Sequence, residues 1–115
     1  ANPISMKNAI ENFSLYNSHN KKKIAIIGDM LELGQKSKFY HLEVAKILNN
    51  AAIDEIYLVG KEVVHIHNQL KKTKRCFICK DIVHFKSLFL KIANEKSIFL
   101  IKGSNGIGLN KLVNQ

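Results

Sequence analysis

Two glycine-bracketed segments carry the residues of this chain whose types and spacing could do chemistry. Residues 28–34 read GDMLELG and place two carboxylates, Asp29 and Glu32, between two glycines. Residues 102–108 read KGSNGIG and combine the Lys102 ammonium and the Ser104 hydroxyl with three glycines. Glycines let the backbone turn tightly and present N–H groups to a carboxylate or a phosphate. Neither segment is a GxxxxGK phosphate loop, and an ordinary turn or a flexible loop is the alternative for each.

Histidine and cysteine give weaker signals. His41 follows the first segment and is the histidine that could reach a site there; the alternative is a helix residue hydrogen-bonded near the surface. Cys76 and Cys79 fall on a predicted strand, where positions i and i+3 face opposite sides. Without a second cysteine pair we expect two buried thiols and no metal site. So few cysteines also favour a reducing, cytosolic setting.

The elements that must position these segments follow from the apolar pattern. Continuous, β-branched runs at 24–27, 56–59, 76–79 and 98–101 predict strands buried on both faces. Helical stripes at 6–13, 42–48, 63–70, 82–93 and 109–113 lie between and after them, with Ser5 and Asp81 as expected N-caps. The alternation predicts one α/β domain over residues 1–115, a three-layer αβα Rossmann-like fold with a mostly parallel sheet and helices on both faces. Ligands of such sheets bind at the carboxyl ends of the strands, where both segments fall.

Composition bounds the class of protein. The chain has 115 residues, 46% of them hydrophobic, and contains no run long enough to span a membrane. Its net charge of +9 comes almost entirely from lysine, densest at 21–23 and 71–75. Solvated surface lysines are the favoured interpretation. A nucleic-acid patch or steering of an anionic substrate stays open, although the single arginine and the absence of aromatic residues interleaved with the lysines disfavour the former.

Several ordered segments resemble the C-terminal domain of the Mur ligases: Asn2-Pro3-x-Ser5-Met6, residues 27–34, His41, residues 58–60 and residues 101–104. The resemblance covers essentially the whole chain. Within the family, the chain is most similar to the branch that adds D-alanyl-D-alanine to UDP-N-acetylmuramoyl-tripeptide. The resemblance implies a fragment of a three-domain cytoplasmic enzyme of peptidoglycan synthesis. It also implies that ATP and Mg²⁺ are bound mainly by a central domain and the UDP-sugar by an N-terminal one, so this domain alone should be inactive.

The resemblance also implies roles for individual residues. Lys102 would be catalytic, and the nucleotide would lie near Asn2 and Pro3. The substrate-binding residues would be Asp29, Glu32, His41, Gly103, Ser104 and Asn105. Asn105 departs from the family pattern, in which a basic residue often follows Lys-Gly-Ser. The competing hypothesis is a basic α/β nucleic-acid or nucleotide-binding module without catalysis, whose binding of nucleic acid would weaken steeply with salt.

Overall fold

A four-stranded parallel sheet forms the centre of the computed structural model, which describes residues 2–94 and 96–104. The spatial order of the strands is β3-β2-β1-β4. The strands are β1 (Lys22–Gly28), β2 (Glu55–Val59), β3 (Cys76–Cys79) and β4 (Ser97–Lys102). The helices are α1 (Pro3–Leu15), α2 (Ser37–Asn49), α3 (Val64–His67) and α4 (Ile82–Ile92), and a 3₁₀ turn (Gly34–Lys36) precedes α2.

Helices cover both faces of the sheet, which confirms the predicted three-layer α/β fold. On one face, α1, α2 and α3 enclose a core with the inward residues of β1 and β2, and on the other face α4 packs through Phe85. The chain steps from β1 to β3 in one direction and then crosses back to β4. Right-handed crossovers in opposite directions put their helices on opposite faces, as observed. None of the helices formed by residues 2–94 and 96–104 has the length and apolar character of a membrane span.

The start of α1 corrects the predicted cap. Asn2, not Ser5, is the N-cap: its Oδ1 accepts a hydrogen bond from the backbone N–H of Ser5 at 2.8 Å. Pro3 then lies in the first turn, where its fixed φ suits a helix and its missing N–H costs nothing. Asp81 does cap α4, accepting from the backbone N–H of His84 at 2.9 Å.

Strands β3 and β4 depart from the prediction of burial on both faces, because each lies at an edge of the described sheet. Every residue of β4 is only partly buried, and Phe77 and Ile78 of β3 are 39% and 40% exposed. Cys76 and Cys79 do face opposite sides as predicted, since Cys76 packs against the α1–α3 core and Cys79 belongs to the α4 core. Only Cys79 is fully buried.

Two helix predictions also change. Val44, Ala45 and Leu48 of the predicted stripe on α2 are buried, but the first buried position is His41 and not Leu42, and Ile47 is only partly buried. The pattern at 63–70 yields only the single turn of α3, and the helix predicted at 109–113 lies outside the described residues.

Candidate functional site

The strand order reverses between β1 and β4, and the loops that follow these two strands meet there. Ile27 of β1 pairs with Lys102 of β4, so the carboxyl ends of the strands lie side by side. In open α/β sheets, the crevice at such a reversal is where ligands bind. Residues 28–34 and the described part of the second segment, residues 102–104, therefore share one edge of the fold, as predicted.

Ser104 ties the two loops together. Its backbone N–H donates to the carbonyl oxygen of Asp29 at 3.0 Å, and its Oγ accepts from the backbone N–H of Leu31 at 2.8 Å. The backbone N–H and the hydroxyl of Ser104 thus both hold the loop after β1 in place. Gly103 lies between Lys102 and Ser104, and Asn105 falls outside the described residues.

Lys102 extends from the end of β4 to the beginning of α1. Its Nζ donates to Ser5 Oγ at 2.9 Å, within the helix turn that Asn2 caps. A depression of ≈ 580 Å³ lies at this place and is lined by Asn2, Pro3, Ile4, Ser5, Asn8 and Tyr40. The structure therefore brings Lys102, Asn2 and Pro3 together, and it adds Ser5.

Asp29 is directed at the turn that follows β2. Its side chain is buried, and its two carboxylate oxygens each accept a backbone N–H at 2.9 Å, from Lys61 and from Val63. Gly60 has a φ of +128°, and a Cβ there would lie 2.5 Å from the Asp29 carboxylate. The glycine at the end of β2 therefore leaves room for that carboxylate, and Asp29 holds the turn in place.

His41 is fully buried beneath the loop after β1, rather than hydrogen-bonded near the surface. Its Nε2 accepts from the backbone N–H of Met30 at 3.1 Å, while Nδ1 lies 2.7 Å from the carbonyl oxygen of Ser37. Because Nε2 must be the acceptor, the hydrogen-bond pattern assigns the proton to Nδ1. Ser37 Oγ extends this series of hydrogen bonds by donating to Glu62 Oε1 at 2.5 Å. His41 thus fixes the loop from below.

Glu32 presents the exposed carboxylate of the first segment. Its φ of +64° is unusual for a residue other than glycine, and its side chain has no hydrogen bond or ion pair with any part of residues 2–94 and 96–104. It lines a cleft of ≈ 330 Å³ with its loop neighbours, Ser37, Lys61 and Glu62. Of the two predicted carboxylates, Glu32 is therefore the exposed one, whereas Asp29 is buried.

Shifted pKa values occur away from these loops. Burial raises the pKa of the Cys76 thiol to about 12, and burial followed by the Asp81 charge raises that of Cys79. Burial, then the Glu55 charge, raises the pKa of Tyr57, and burial lowers that of Lys74. These residues lie on β2, on β3 and just before β3, so none of them belongs to the loops joined by Ser104.

Comparison with known proteins decides the family. Residues 1–105 match the family model described as Mur ligase, glutamate ligase domain. The chain belongs to the Mur ligase family. This Mur ligase domain is 37% identical to the UDP-N-acetylmuramoyl-tripeptide–D-alanyl-D-alanine ligase of Rickettsia prowazekii, a match that covers 98% of the chain and 25% of the relative. It is 28% identical to the ligase of the same name from Bacillus subtilis, with the same coverage of each chain.

Solved structures share its fold. MurF from Acinetobacter baumannii superposes with a TM-score of 0.82 at 24% identity, and MurF from Thermotoga maritima in complex with ADP with a TM-score of 0.74 at 23% identity. Each match covers 99% of this Mur ligase domain and 25% of the other chain. The chain therefore spans about a quarter of the length of the relatives it matches.

Four residues of this edge were not among the predicted site residues: Ser5, Ser37, Gly60 and Glu62. Asn followed by Pro is a known start signal of a helix, so the sequence could have predicted Asn2 as the N-cap. Ser5 would then not be the cap, and its hydroxyl would be available for another contact. Ser37 lies one helical turn before His41, which is a readable spacing. Gly60 and Glu62 act through contacts with Asp29 and Ser37, far away in sequence, and carry no local signal.

Proposed function

We propose that this Mur ligase domain is the part of a UDP-N-acetylmuramoyl-tripeptide–D-alanyl-D-alanine ligase that receives D-alanyl-D-alanine. It would work in the cytoplasm with two further domains that hold the UDP-sugar and ATP. The observation that carries the proposal is the position of Lys102, a cation beside the crevice where the strand order reverses and next to the capped end of α1. The names of the relatives supply the substrates.

The reaction joins a carboxylate to an amine, and a carboxylate is a poor acyl donor until its oxygen becomes a good leaving group. ATP, as co-substrate, supplies that leaving group by converting the terminal carboxylate of the tripeptide into an acyl phosphate. The dipeptide amine then forms the new C–N bond while the C–O bond to phosphate breaks. The products are the amide, ADP and phosphate. Bringing the amine and the acyl carbon together, with water excluded, is what this domain would contribute.

The residues of this chain suit that task in distinct ways. Lys102 would exchange its contact with Ser5 for the carboxylate of the dipeptide, since an ammonium and a carboxylate form a strong charge-assisted hydrogen bond. Gly103 and Asn105 would border that carboxylate. Glu32, exposed in the neighbouring cleft, would attract the amine of the dipeptide. We place Asn2 and Pro3 beside the nucleotide.

Asp29, His41 and Ser104 serve the same site indirectly in this proposal. Asp29 fixes the turn after β2, His41 fixes Met30, and Ser104 joins the loops after β1 and β4. Rigid loops hold reacting groups near their productive geometry, and a misplacement of about 1 Å can cost about a hundredfold in rate. These three residues would therefore position the residues that touch substrate.

Magnesium does not fit the described residues of this domain. Nowhere in residues 2–94 and 96–104 do three His, Cys, Asp or Glu side chains come together as a group that could hold a metal ion. Both oxygens of Asp29 already accept backbone N–H groups, which removes the most buried carboxylate of this edge from consideration. No step of the proposed reaction is assigned to a metal held by this domain.

Substitution of Lys102 in the ligase that contains this domain tests the proposal. Loss of a hydrogen bond to a charged group costs about 1.5–3 kcal/mol, so Lys102→Ala should lower kcat/KM for the dipeptide by about 10- to 150-fold. Lys91→Ala is the matched control, because it removes the same charge from an exposed position on α4. Equal kinetics for Lys102→Ala and Lys91→Ala would refute the role of Lys102.

A further inference from the structure

The positive charge of the chain is concentrated at the edge of the sheet opposite the candidate site. Parallel strands all begin at one edge, so the described residues that lead into them, 16–23, 50–55, 71–76, 94, 96 and 97, lie together there. With Glu95 counted from the sequence, these segments carry eight cationic and three acidic residues, an excess of five positive charges. We call this surface the amino-edge patch; its cations are Lys21, Lys22, Lys23, Lys71, Lys72, Lys74, Arg75 and Lys96.

The carboxyl edge carries no such excess. The described segments at that edge, 2–5, 28–36, 60–63, 80–81 and 102–104, contain four lysines and four acidic residues. The two lysine clusters seen in the sequence therefore meet on one side of the molecule, and that side is not used by the proposed ligase site. Strand β1 has seven residues, which separates the two edges by about 23 Å, more than two Debye lengths at physiological salt.

Little of this charge is neutralised from within. Glu55 is buried and lies 3.1 Å from the Lys22 Nζ and 3.4 Å from the Arg75 Nε. Lys23 is buried and donates to the carbonyl oxygen of Ser14. Six of the eight cations are exposed, namely Lys21, Lys22, Lys71, Lys72, Arg75 and Lys96. Most of the patch is therefore directed at solvent.

The end of α1 adds apolar surface beside the patch. Ser14 is held at this edge, because its Oγ accepts from the backbone N–H of Ala52 and its carbonyl oxygen accepts from Lys23. The next two side chains, Leu15 and Tyr16, are 85% and 59% exposed. An exposed leucine and an exposed tyrosine beside several lysines are typical of surfaces that bind at the interface between water and lipid.

We propose that the amino-edge patch binds the surface of an anionic membrane peripherally, leaving the carboxyl edge free. Lysines suit a diffuse layer of lipid phosphates, to which each contributes on its own. A nucleic acid would favour arginines, for two-pronged contacts, and aromatic rings interleaved with them for base stacking, whereas the patch contains one arginine. This inference does not depend on the proposed ligase activity.

Vesicle sedimentation of the 115-residue chain tests the inference. The chain should sediment with vesicles of equal parts phosphatidylcholine and phosphatidylglycerol at low salt, and not with phosphatidylcholine alone. A lysine at a charged membrane surface changes the partition coefficient about fivefold, so the Lys21→Gln, Lys71→Gln, Lys72→Gln triple variant should bind about a hundredfold more weakly.

The matched control removes the same net charge elsewhere. Lys36→Gln, Lys38→Gln and Lys80→Gln neutralise three exposed lysines outside the patch, and this triple variant should lose less than about fivefold. Equal losses for the two triple variants would mean that net charge alone drives binding and would overturn the inference. Failure of the chain to bind anionic vesicles, or tighter binding to duplex DNA than to those vesicles at equal salt, would overturn it as well.

Discussion

Removal of the Asp29 carboxylate should destabilise the fold strongly, because that carboxylate holds the turn after β2. It is 5% exposed and accepts two backbone N–H groups at 2.9 Å. A hydrogen bond to a charged group contributes about 1.5–3 kcal/mol, so the loss of both in Asp29→Ala should lower the free energy of unfolding by about 3–6 kcal/mol. That is a large share of the roughly 5–15 kcal/mol of a typical domain.

Urea unfolding of the 115-residue chain measures this change. With a slope of about 2 kcal/mol per molar urea, the midpoint should fall by about 2 M. Asp81→Ala is the matched control, since Asp81 accepts one N–H at the exposed start of α4 and its loss should cost about 1 kcal/mol. Asp29→Asn, which keeps one acceptor oxygen, should fall between the two.

The adjoining glycine gives a second, coupled test. Gly60→Ala should also destabilise the chain, because its Cβ would meet the Asp29 carboxylate and its φ is +128°. In the double variant Asp29→Ala, Gly60→Ala the clash disappears, because the carboxylate is absent, and the glycine substitution costs only backbone strain. The free energy of unfolding lost in the double variant should therefore be smaller than the sum of the losses in the two single variants. A cost for Asp29→Ala no greater than that of Asp81→Ala would refute the reasoning and return Asp29 to the substrate-facing role.

Three further changes test the loops and the core. Ser104→Ala should raise hydrogen exchange at the Leu31 amide about tenfold by NMR, since its acceptor is lost; unchanged exchange would contradict the loop contact. His41→Leu should lower the free energy of urea unfolding by about 1–3 kcal/mol by leaving the Met30 N–H without its acceptor, and a loss under about 0.5 kcal/mol would argue otherwise. Burial raises the pKa of the Cys76 thiol from 9.0 to about 12, so the folded chain keeps a proton that the unfolded chain releases. Stability should therefore fall as pH rises above 9.0, and Cys76→Ala should flatten that fall in urea midpoints measured across pH.

The fold was largely predictable from continuous apolar runs. The runs at 24–27 and 56–59 became the two central strands, whose residues there are at most 6% exposed. The run at 76–79 has the same character but lies at an edge, which leaves Phe77 and Ile78 exposed. The local pattern predicts that a segment is a strand. Which strands lie beside it, and therefore how buried it is, depends on the order of all four strands in the sheet.

The sequence predicted where the candidate site lies in the fold, but it did not predict which residues contact one another there. The rule that ligands bind at the carboxyl ends of strands identified both glycine-bracketed segments. The direction of Asp29 depends on backbone N–H groups more than thirty positions away in sequence, and that of Lys102 on Ser5 at the other end of the chain. No short window of sequence contains both partners of such a contact, so only the folded structure distinguishes a carboxylate that holds a turn from one that is exposed in a cleft.

ADP release by the ligase that contains this domain tests the central proposal most directly. The enzyme is given ATP and UDP-N-acetylmuramoyl-tripeptide, with and without D-alanyl-D-alanine. ADP release should depend on the dipeptide and should be lost in the Lys102→Ala variant, while Lys91→Ala behaves as wild type. Release that is absent, or that proceeds equally without the dipeptide, would contradict the proposal.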